Sequence, residues 1–271
     1  MSGANDYVNC TKCKGPGSLL PGEGAGVQWT PLSRRLRSAD RAGRRDPAAQ
    51  QGGKSEIGEN SMKEQRCVII GSSPETDVSE MGGLLKKDDY IICADGGYIF
   101  AQMLGIKPDL IVGDFDSSES PVQAECEIIR LPVRKDETDT HYAVRKGLER
   151  GCREFLLCGV SGGRADHTYA NFCLLKFLLD QGAHGIIADG GTVIFVEDEG
   201  EISLDGKNGY GFGIFPFGCA SCRVTLEGFD YPLQNGTLDN GFPLGVSNRI
   251  SSDNAKVTVL EGTVIMFLYK Y

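Results

Sequence analysis

Acidic side chains are concentrated in three short motifs, each of which follows a strand-like apolar segment. The motifs are Ala94-Asp95-Gly96-Gly97, Gly113-Asp114-Phe115-Asp116-Ser117 and Lys135-Asp136-Glu137-Thr138-Asp139. In an open parallel sheet, ligands bind at the carboxyl ends of the strands. Because residues two apart in an extended chain project to the same side, Asp114 and Asp116 can direct both carboxylates at one point. The spacing therefore predicts that the three motifs meet in one acidic pocket.

Carboxylates this close together repel one another, and a divalent cation is the usual means of relieving the repulsion. Mg²⁺ prefers oxygen ligands and takes one or two carboxylates, with waters and phosphate oxygens completing its shell. We predict a Mg²⁺ site with four candidate ligands: Asp114, Asp116, Asp136 and Asp139. Thr138 or Asp136 could also cap the following helix, whose first turn would then carry Asp136 and Asp139 on one face.

A glycine-rich turn that opens a predicted helix is the candidate for phosphate binding. It reads Gly159-Val160-Ser161-Gly162-Gly163-Arg164-Ala165-Asp166-His167. Glycines let a phosphate approach the backbone, and the N–H groups at a helix start attract anions. Arg164 could bind a phosphate through two hydrogen bonds, with His167 as a further donor.

Two common phosphate-binding motifs are absent from the sequence. It contains no Gly-x-x-x-x-Gly-Lys-Ser/Thr and no Gly-x-Gly-x-x-Gly, which disfavours a P-loop NTPase and a dinucleotide-binding dehydrogenase. We therefore expect the metal, Arg164 and Lys135 to hold the phosphates.

The elements that must position these residues follow from the apolar pattern of residues 67–188. Five short segments are predicted strands: Cys67–Gly71, Tyr90–Ala94, Asp109–Val112, Glu127–Val133 and Glu154–Val160. The two clearest predicted helices are Thr138–Arg150 and Asp166–Gln181. Strands that alternate with helices predict an α/β fold, with a mostly parallel, Rossmann-like sheet and helices on both faces.

After about Ala188 the pattern changes to short apolar segments separated by turn signals. Four dipeptides are typical of β-hairpin turns: Asp205-Gly206, Asn208-Gly209, Asn235-Gly236 and Asn240-Gly241. They predict a second, all-β domain of about 80 residues, within the normal size range of domains. The predicted organisation is an extension over residues 1–62, an α/β catalytic domain over 63–187 and a β domain over 188–271.

Residues 1–61 are rich in Gly, Ser, Arg and Gln and show no sustained apolar period. Such a composition predicts a disordered extension, and Met62 shortly precedes the first predicted strand. We expect a shortened chain that starts at Met62 to retain the activity and solubility of the full chain. Enzyme assays and centrifugation of the two forms measure this, and loss of either property would show that the extension is required.

The overall composition restricts the class of protein. A length of 271 residues with 40% hydrophobic content is sufficient for a sizeable core. The net charge is −9, and residues 63–271 carry 19 basic against 31 acidic side chains, so no nucleic-acid partner is expected. The sequence has no apolar run long enough to predict a membrane span. It also lacks a basic segment followed by an apolar one, which would predict a secretory signal. We therefore expect a cytoplasmic protein without a membrane partner.

Ten cysteines could form disulfides in a secreted protein. Most of them lie in apolar segments, among them Cys67, Cys93, Cys158 and Cys173. These cysteines are predicted to be buried free thiols.

In this order and at these intervals, the motifs closely resemble those of the bacterial type of thiamine pyrophosphokinase. The resemblance rests on Ala-Asp-Gly-Gly, Gly-Asp-Phe-Asp-Ser, Lys-Asp-Glu-Thr-Asp and Gly-Gly-Arg-Ala-Asp-His, and it covers roughly residues 65–271. It extends to Ser247-Asn248, which is similar to a late polar element of the family. The resemblance implies an α/β nucleotide domain followed by a β-sandwich, a homodimer, and thiamine bound where two subunits meet.

The resemblance also implies a reaction, in which the hydroxyethyl oxygen of thiamine attacks the β-phosphorus of ATP and AMP is released. The metal and the substrate hydroxyl would be served by Asp95, Asp114, Asp116 and either Asp136 or Asp139. ATP would be bound by Lys135, Gly162, Gly163, Arg164, Asp166 and His167, and thiamine by Asp95, Asp116, Ser247 and Asn248. An aspartate of the first or second motif would orient the alcohol or accept its proton.

Two other functions fit part of the pattern. Asp114-Phe115-Asp116 also resembles the Asp-x-Asp motif of metal-dependent transferases that use nucleotide sugars, but that function leaves the third acidic motif and the Arg164 turn unused. A non-catalytic module that binds a nucleotide or thiamine would share the pockets and would tolerate loss of the acids. Incubation with ATP, Mg²⁺ and thiamine separates the three functions, because only the first yields AMP together with thiamine diphosphate.

Overall fold

The structure is a computed structural model that describes residues 65–115 and 125–270. The predicted extension over residues 1–62 and the candidate Asp116 lie outside the described residues. The described helices are α1 (Val78–Leu84), α2 (Gly97–Met103), α3 (Asp139–Glu149) and α4 (Ala165–Asp180). The described strands are β1 (Cys67–Ile70), β2 (Tyr90–Ala94), β3 (Leu110–Gly113), β4 (Glu127–Arg130), β5 (Glu154–Cys158), β6 (His184–Asp189), β7 (Thr192–Glu197), β8 (Gly200–Asp205), β9 (Gly211–Pro216), β10 (Ser221–Glu227), β11 (Leu233–Asp239), β12 (Asn248–Arg249), β13 (Asn254–Glu261) and β14 (Val264–Tyr269). None of the described helices is long and apolar enough to cross a membrane.

Six parallel strands form one half of the main sheet, in the order β4-β3-β2-β1-β5-β6. The five predicted strands are confirmed, and α3 and α4 match the two predicted helices closely. The chain builds outward from β1 to β4 and then returns to β5 on the other side of β1. The loops after β1 and β5 therefore lie at a topological switch point, where open α/β sheets bind their ligands.

Helices cover both faces of this parallel region, as predicted. Successive side chains of a strand point to opposite faces, and both faces of β1 are buried. Ile69 belongs to the core that contains Val144 of α3 and Leu174 of α4. Ile70 belongs to the core on the other face, which contains Met81 of α1. The apolar run of β1 is therefore continuous because both of its faces pack against helices.

The main sheet continues beyond the parallel region. Strands β7, β14, β9 and β12 extend it with antiparallel pairing, so that ten described strands form one sheet. The predicted boundary between residues 187 and 188 lies inside β6. Backbone hydrogen bonds therefore join the α/β part and the β part without a break.

A second sheet, in the order β11-β10-β13-β8, completes the β part. Alternate residues of β14 face opposite sides of the main sheet, so this strand contributes to two cores. Val264, Met266 and Leu268 face the core shared with the second sheet, whereas Ile265 faces the core shared with α3 and α4. The predicted fold class, an α/β part followed by a β-sandwich, is confirmed.

The hairpin prediction is wrong for three of the four turn dipeptides. Asp205-Gly206 and Asn208-Gly209 fall where β8 leads to β9, but these two strands belong to different sheets. Asn235-Gly236 lies inside β11, where Asn235 has a φ of +50° and the pairing with β10 shifts register. Bulges and hairpin turns use the same left-handed residue types, so the dipeptide alone does not distinguish them.

The eight described cysteines are free thiols. Cys67, Cys93 and Cys158 are buried, as predicted, but Cys173 is exposed. The buried face of α4 is formed by Asn171, Leu174, Leu175 and Leu178, whose spacing places them on one side of the helix. Cys173 lies outside that face.

Candidate active site

Three aspartates from separate segments meet at the carboxyl edge of the parallel strands. Asp95 follows β2, Asp114 follows β3 and Asp139 opens α3. One carboxylate oxygen from each residue lies within 4.8 Å of the other two. All three residues are partly buried. The structure thus brings the three acidic motifs together, as their spacing predicts, and we call these three residues the acid cluster.

Lys135 lies between two members of the acid cluster. Its Nζ is 2.9 Å from Asp114 Oδ2 and 3.1 Å from Asp139 Oδ1. Partial burial opposes the charge of Lys135, but its hydrogen bonds with Asp114 and Asp139 outweigh that effect and raise its pKa.

Carboxylates this close together repel one another. Two like charges 4.8 Å apart repel by about 3 kcal/mol at an effective dielectric constant of roughly 20. A divalent cation relieves such repulsion and binds several carboxylate oxygens at once. The geometry therefore favours a cation of higher charge among these oxygens.

Glycines allow the strand ends to approach closely enough for the aspartates to meet. A Cβ atom on Gly113 would lie 3.0 Å from the Cα of Asp95, and one on Gly97 would collide with the carbonyl oxygen of Ile70. Asp95 itself has a φ of +48°, a conformation that is uncommon for residues other than glycine. The glycines of the first two motifs are thus required by close packing of the strand ends.

Phe115 fixes the direction of the neighbouring Asp114. Its ring is buried, with Tyr98 at 6.5 Å in an edge-to-face arrangement and the guanidinium carbon of Arg130 at 5.2 Å. The φ of Phe115 is +54°, a left-handed and not an extended conformation. The position of Asp116 lies outside the described residues, and its role stays a prediction.

Thr138, and not Asp136, caps α3. Thr138 has an extended backbone, and its Oγ1 accepts a hydrogen bond of 3.1 Å from the backbone N–H of His141. Asp136 therefore precedes the helix and is exposed, so the expected shared helical turn with Asp139 is wrong. The structure does not bring Asp136 into the acid cluster, and a metal-binding role for it stays a prediction.

The glycine-rich turn leads from β5 into α4. Gly162 and Gly163 have φ values of +88° and +66°. The N–H of Gly162 donates to Thr168 Oγ1 at 3.0 Å, and the N–H of Gly163 donates to Glu75 Oε1 at 3.0 Å. These two N–H groups thus already have acceptors within the chain, and one of these acceptors is a carboxylate.

Arg164, Asp166 and His167 are exposed at the start of α4. Arg164 donates to both carboxylate oxygens of Asp166, from Nε at 3.2 Å and from Nη2 at 2.6 Å. These hydrogen bonds lower the pKa of Asp166. The guanidinium therefore makes the two-point contact expected with a phosphate, but makes it with a carboxylate of its own helix. Only β1 separates β5 from β2, so the start of the turn lies about two strand spacings, roughly 10 Å, from Asp95, the nearest strand-end member of the acid cluster.

One further acidic residue lies at this edge of the sheet, outside the three predicted acidic motifs. Asp189 ends β6, and its side chain accepts hydrogen bonds from the turn after β5. A signal for it exists in the sequence. Ala188-Asp189-Gly190-Gly191 repeats the residue types of Ala94-Asp95-Gly96-Gly97.

Ser247 and Asn248 lie at the start of β12, in the β-sandwich. Ser247 is exposed and has a φ of +57°. Asn248 is buried, and its side chain accepts from the N–H of Tyr231 at 3.1 Å and donates to the carbonyl of Tyr231 at 2.8 Å. Ser247 therefore presents a hydroxyl at the surface, whereas the amide of Asn248 fastens the segment that carries Tyr231.

Two family models match consecutive parts of the chain. "Thiamin pyrophosphokinase, catalytic domain" matches residues 81–187, and "Thiamin pyrophosphokinase, vitamin B1 binding domain" matches residues 199–264. The first match contains the acid cluster, Lys135 and the glycine-rich turn, and the second contains Ser247 and Asn248. Together the two matches cover more than half of the chain.

Individual relatives agree with the family models. The thiamine pyrophosphokinase of Bacillus subtilis is 27% identical over 212 residues, which cover 73% of this chain and 95% of the relative. Thiamine pyrophosphokinase 1 of Oryza sativa is 26% identical over 199 residues, which cover 62% of this chain and 74% of the relative. The crystal structure of the Bacillus subtilis enzyme shares the fold, with a TM-score of 0.69 at 24% identity over 76% of this chain and 100% of that chain. The chain therefore belongs to the thiamin pyrophosphokinase family.

Proposed function

We propose that the protein transfers the pyrophosphoryl group of ATP to the hydroxyl of thiamine, giving thiamine diphosphate and AMP. The observation that carries the proposal is the meeting of Asp95, Asp114 and Asp139 beside Lys135 at the carboxyl edge of the sheet. This arrangement lies within the part of the chain that matches the catalytic-domain model. The relatives that match most of the chain are named thiamine pyrophosphokinases, which supports the choice of acceptor.

The acid cluster fits Mg²⁺. Its three carboxylate oxygens lie within 4.8 Å of one another, and Mg²⁺ binds oxygen ligands of this type together with phosphate oxygens. Asp95, Asp114 and Asp139 would hold the ion, and Asp116 and Asp136 are further candidates. When bound, Mg²⁺ would neutralise charge on the β- and γ-phosphates of ATP.

The acid cluster and Lys135 can also accept the proton of the thiamine hydroxyl and offset the negative charge of the transferred group. Asp95 or Asp114 can accept the proton of the thiamine hydroxyl as the hydroxyl oxygen attacks the β-phosphorus. A bond forms between that oxygen and the β-phosphorus, and the bond from the β-phosphorus to the bridging α,β-oxygen breaks. The electron pair of the broken bond leaves with AMP. Lys135, already held by Asp114 and Asp139, can offset the negative charge of the transferred group.

We assign ATP to the edge of the sheet between the acid cluster and the glycine-rich turn. Arg164 and His167 are exposed there, and Gly162 and Gly163 precede them in the same turn. A phosphate can replace Asp166 as the partner of Arg164, because both anions match the two-point geometry of a guanidinium. Lys135 would bind the phosphates from the side of the acid cluster.

We assign thiamine to the boundary between two subunits, near Ser247 and Asn248 of one copy, with Asp95 and Asp116 of the other copy reaching its hydroxyl, because seven strand spacings, roughly 33 Å, separate β12 from β2 within one chain. The match of residues 199–264 to the vitamin B1 binding domain supports this assignment. We also propose a homodimer. Large apolar side chains are exposed in the same region and would be covered by a second copy: Tyr231, Phe242, Leu244 and Val246. Eight free thiols among the described cysteines support a reducing compartment such as the cytoplasm.

The two alternative functions account for fewer of these features. A nucleotide-sugar transferase would use Asp114 and Asp116 but gives no role to Asp139, which joins the acid cluster from α3. A binding module would need no residue to accept a proton.

The test is to incubate the protein with ATP, Mg²⁺ and thiamine and to resolve nucleotides and thiamine esters by chromatography. We expect AMP and thiamine diphosphate in equal amounts, and neither without Mg²⁺. Thiamine monophosphate is the control acceptor, because its hydroxyl is already esterified and it should not yield AMP. Formation of ADP, or no product with thiamine, would refute the proposal.

A further inference from the structure

The turn after β5 is held in place by the side chain of Asp189. Its Oδ1 accepts from the N–H of Gly159 at 2.5 Å, and its Oδ2 accepts from the N–H of Val160 at 3.0 Å. Oδ2 also accepts from the N–H of Ser161 at 2.9 Å and from its Oγ at 2.9 Å. Three successive backbone donors and one hydroxyl therefore converge on a single carboxylate.

Asp189 and Asp95 lie in identical four-residue motifs at the ends of β6 and β2, but the carboxylate of Asp189 is bound by the backbone of the turn. Its Oδ2 accepts three of the four hydrogen bonds and its Oδ1 accepts the fourth, so most of the roughly four acceptor positions of the carboxylate are used within the chain. Burial raises the pKa of Asp189, and the hydrogen bonds from the turn offset only part of that effect. Such an arrangement orders the loop that follows β5.

Other side chains complete the support of the turn. Asn171 is buried in α4, and its Nδ2 donates to the carbonyl oxygen of Val160 at 2.6 Å. The turn is thus held from β6 through its N–H groups and from α4 through a carbonyl. The next residues are Gly162, Gly163 and Arg164, so the position of Arg164 follows from that of the supported segment.

We propose that Asp189 is a positioning residue for ATP, which acts by holding the turn from Gly159 to Ser161 so that Arg164 and His167 face the polyphosphate. This inference rests on the proposed function, because that function assigns ATP to the turn. Asp189 touches neither substrate. Its loss should weaken nucleotide binding and leave the thiamine side of the site intact.

The experiment compares Asp189→Asn with Asp89→Asn. The first substitution keeps the volume of the side chain but opposes an amide N–H₂ to at least one N–H donor of the turn. Asp89 is a matched control because it is also a carboxylate held by several donors of the chain, bound by Arg66 at 2.8 and 2.7 Å and by the N–H of Lys86 at 2.7 Å. It precedes β2, at the opposite edge of the sheet from the turn.

The readouts are the KM values for ATP and thiamine, the Tm, and the Kd for a fluorescent ATP analogue with Mg²⁺. For Asp189→Asn we expect KM and Kd of the nucleotide to rise about tenfold while KM for thiamine stays within about twofold. For Asp89→Asn we expect a lower Tm with both KM values within about twofold of those of the unchanged protein. Nucleotide affinity unchanged in Asp189→Asn, or reduced equally in both variants, would overturn the inference.

A second variant and a binding assay that needs no turnover ensure that the experiment decides the role of Asp189. Should Asp189→Asn fail to fold, Ser161→Ala removes one of the four hydrogen bonds, and we expect it to raise the nucleotide Kd about twofold to threefold; no change in that variant would overturn the inference. The binding of the ATP analogue requires no turnover. Failure of the unchanged protein to form AMP therefore refutes the proposed function, whereas the comparison of nucleotide affinities still decides the role of Asp189.

Discussion

Replacement of Asp114 by asparagine is expected to reduce turnover about a thousandfold, which corresponds to roughly 4 kcal/mol of transition-state stabilisation. Asp114 contributes one of the three carboxylates of the acid cluster and is also the partner of Lys135 at 2.9 Å. Its replacement removes a charge that attracts the metal and frees the lysine from one of its two anchors. The fold should be retained because asparagine has the same volume and the site is only partly buried. Steady-state kinetics with ATP, Mg²⁺ and thiamine measure the effect.

Asp180→Asn is a suitable control for Asp114→Asn. Asp180 is the last residue of α4, and its side chain makes an exposed ion pair of 2.6 Å with Lys176. Exposed pairs of this kind contribute about 0–1 kcal/mol, so turnover and Tm should change little. Near-normal turnover of Asp114→Asn, or an equal loss in both variants, would show that the acid cluster is not the catalytic centre.

The second large effect concerns stability: Gly97→Ala is expected to destabilise the protein by about 3 kcal/mol or more. The added methyl group would collide with the carbonyl oxygen of Ile70, at the end of β1. Because both atoms belong to packed backbone, neither a rotamer change nor a small shift relieves the contact. A loss of this size lowers the Tm of a chain of this length by about 6–12 °C, which calorimetry measures.

Gly83→Ala is the matched control, since Gly83 also lies in a short helix. Nothing lies within 4 Å of a Cβ atom added to Gly83, which is exposed in α1. Alanine is the better helix former, so this variant should gain up to about 0.5 kcal/mol. Equal Tm values for the two variants would mean that close packing does not explain the glycines after Asp95.

The sequence predicts the parallel half of the fold well because its strands are buried on both faces and are bounded by turns. Continuous apolar runs such as Cys67–Ile70, followed by amphipathic helices such as α3, leave few alternative structures. The acid cluster is predictable for the same reason. Once the strands are parallel, their ends lie at one edge, and Asp95 and Asp114 are brought together by topology.

Other features depend on tertiary structure that local patterns do not carry. Asn235-Gly236 has the residue types of a hairpin turn but lies where β11 changes register against β10. The start of α3 is set by the hydroxyl of Thr138, and this capping choice moves Asp136 outside the helix and the acid cluster. The continuity of the sheet through β6 and β7 cannot be read from either strand alone.

The glycine-rich turn shows a third kind of difference. Its sequence predicts N–H groups that are available to an anion. In the structure these groups donate hydrogen bonds to Glu75, Thr168 and Asp189, which belong to distant segments or to the next helical turn. Sequence separations as long as the one between Gly163 and Glu75 are invisible to motif analysis. The repeated Ala-Asp-Gly-Gly motif is the single local feature that points to Asp189.

The most direct test of the account uses ATP labelled with ³²P at the γ-phosphorus, together with thiamine, Mg²⁺ and either the unchanged protein or Asp114→Asn. If the acid cluster transfers the pyrophosphoryl group as a unit, the label appears in thiamine diphosphate with unlabelled AMP as the other product. Asp114→Asn should form almost none of either product in the same time. Label in thiamine monophosphate or in free phosphate, or equal labelling of thiamine diphosphate by the variant, would contradict the account.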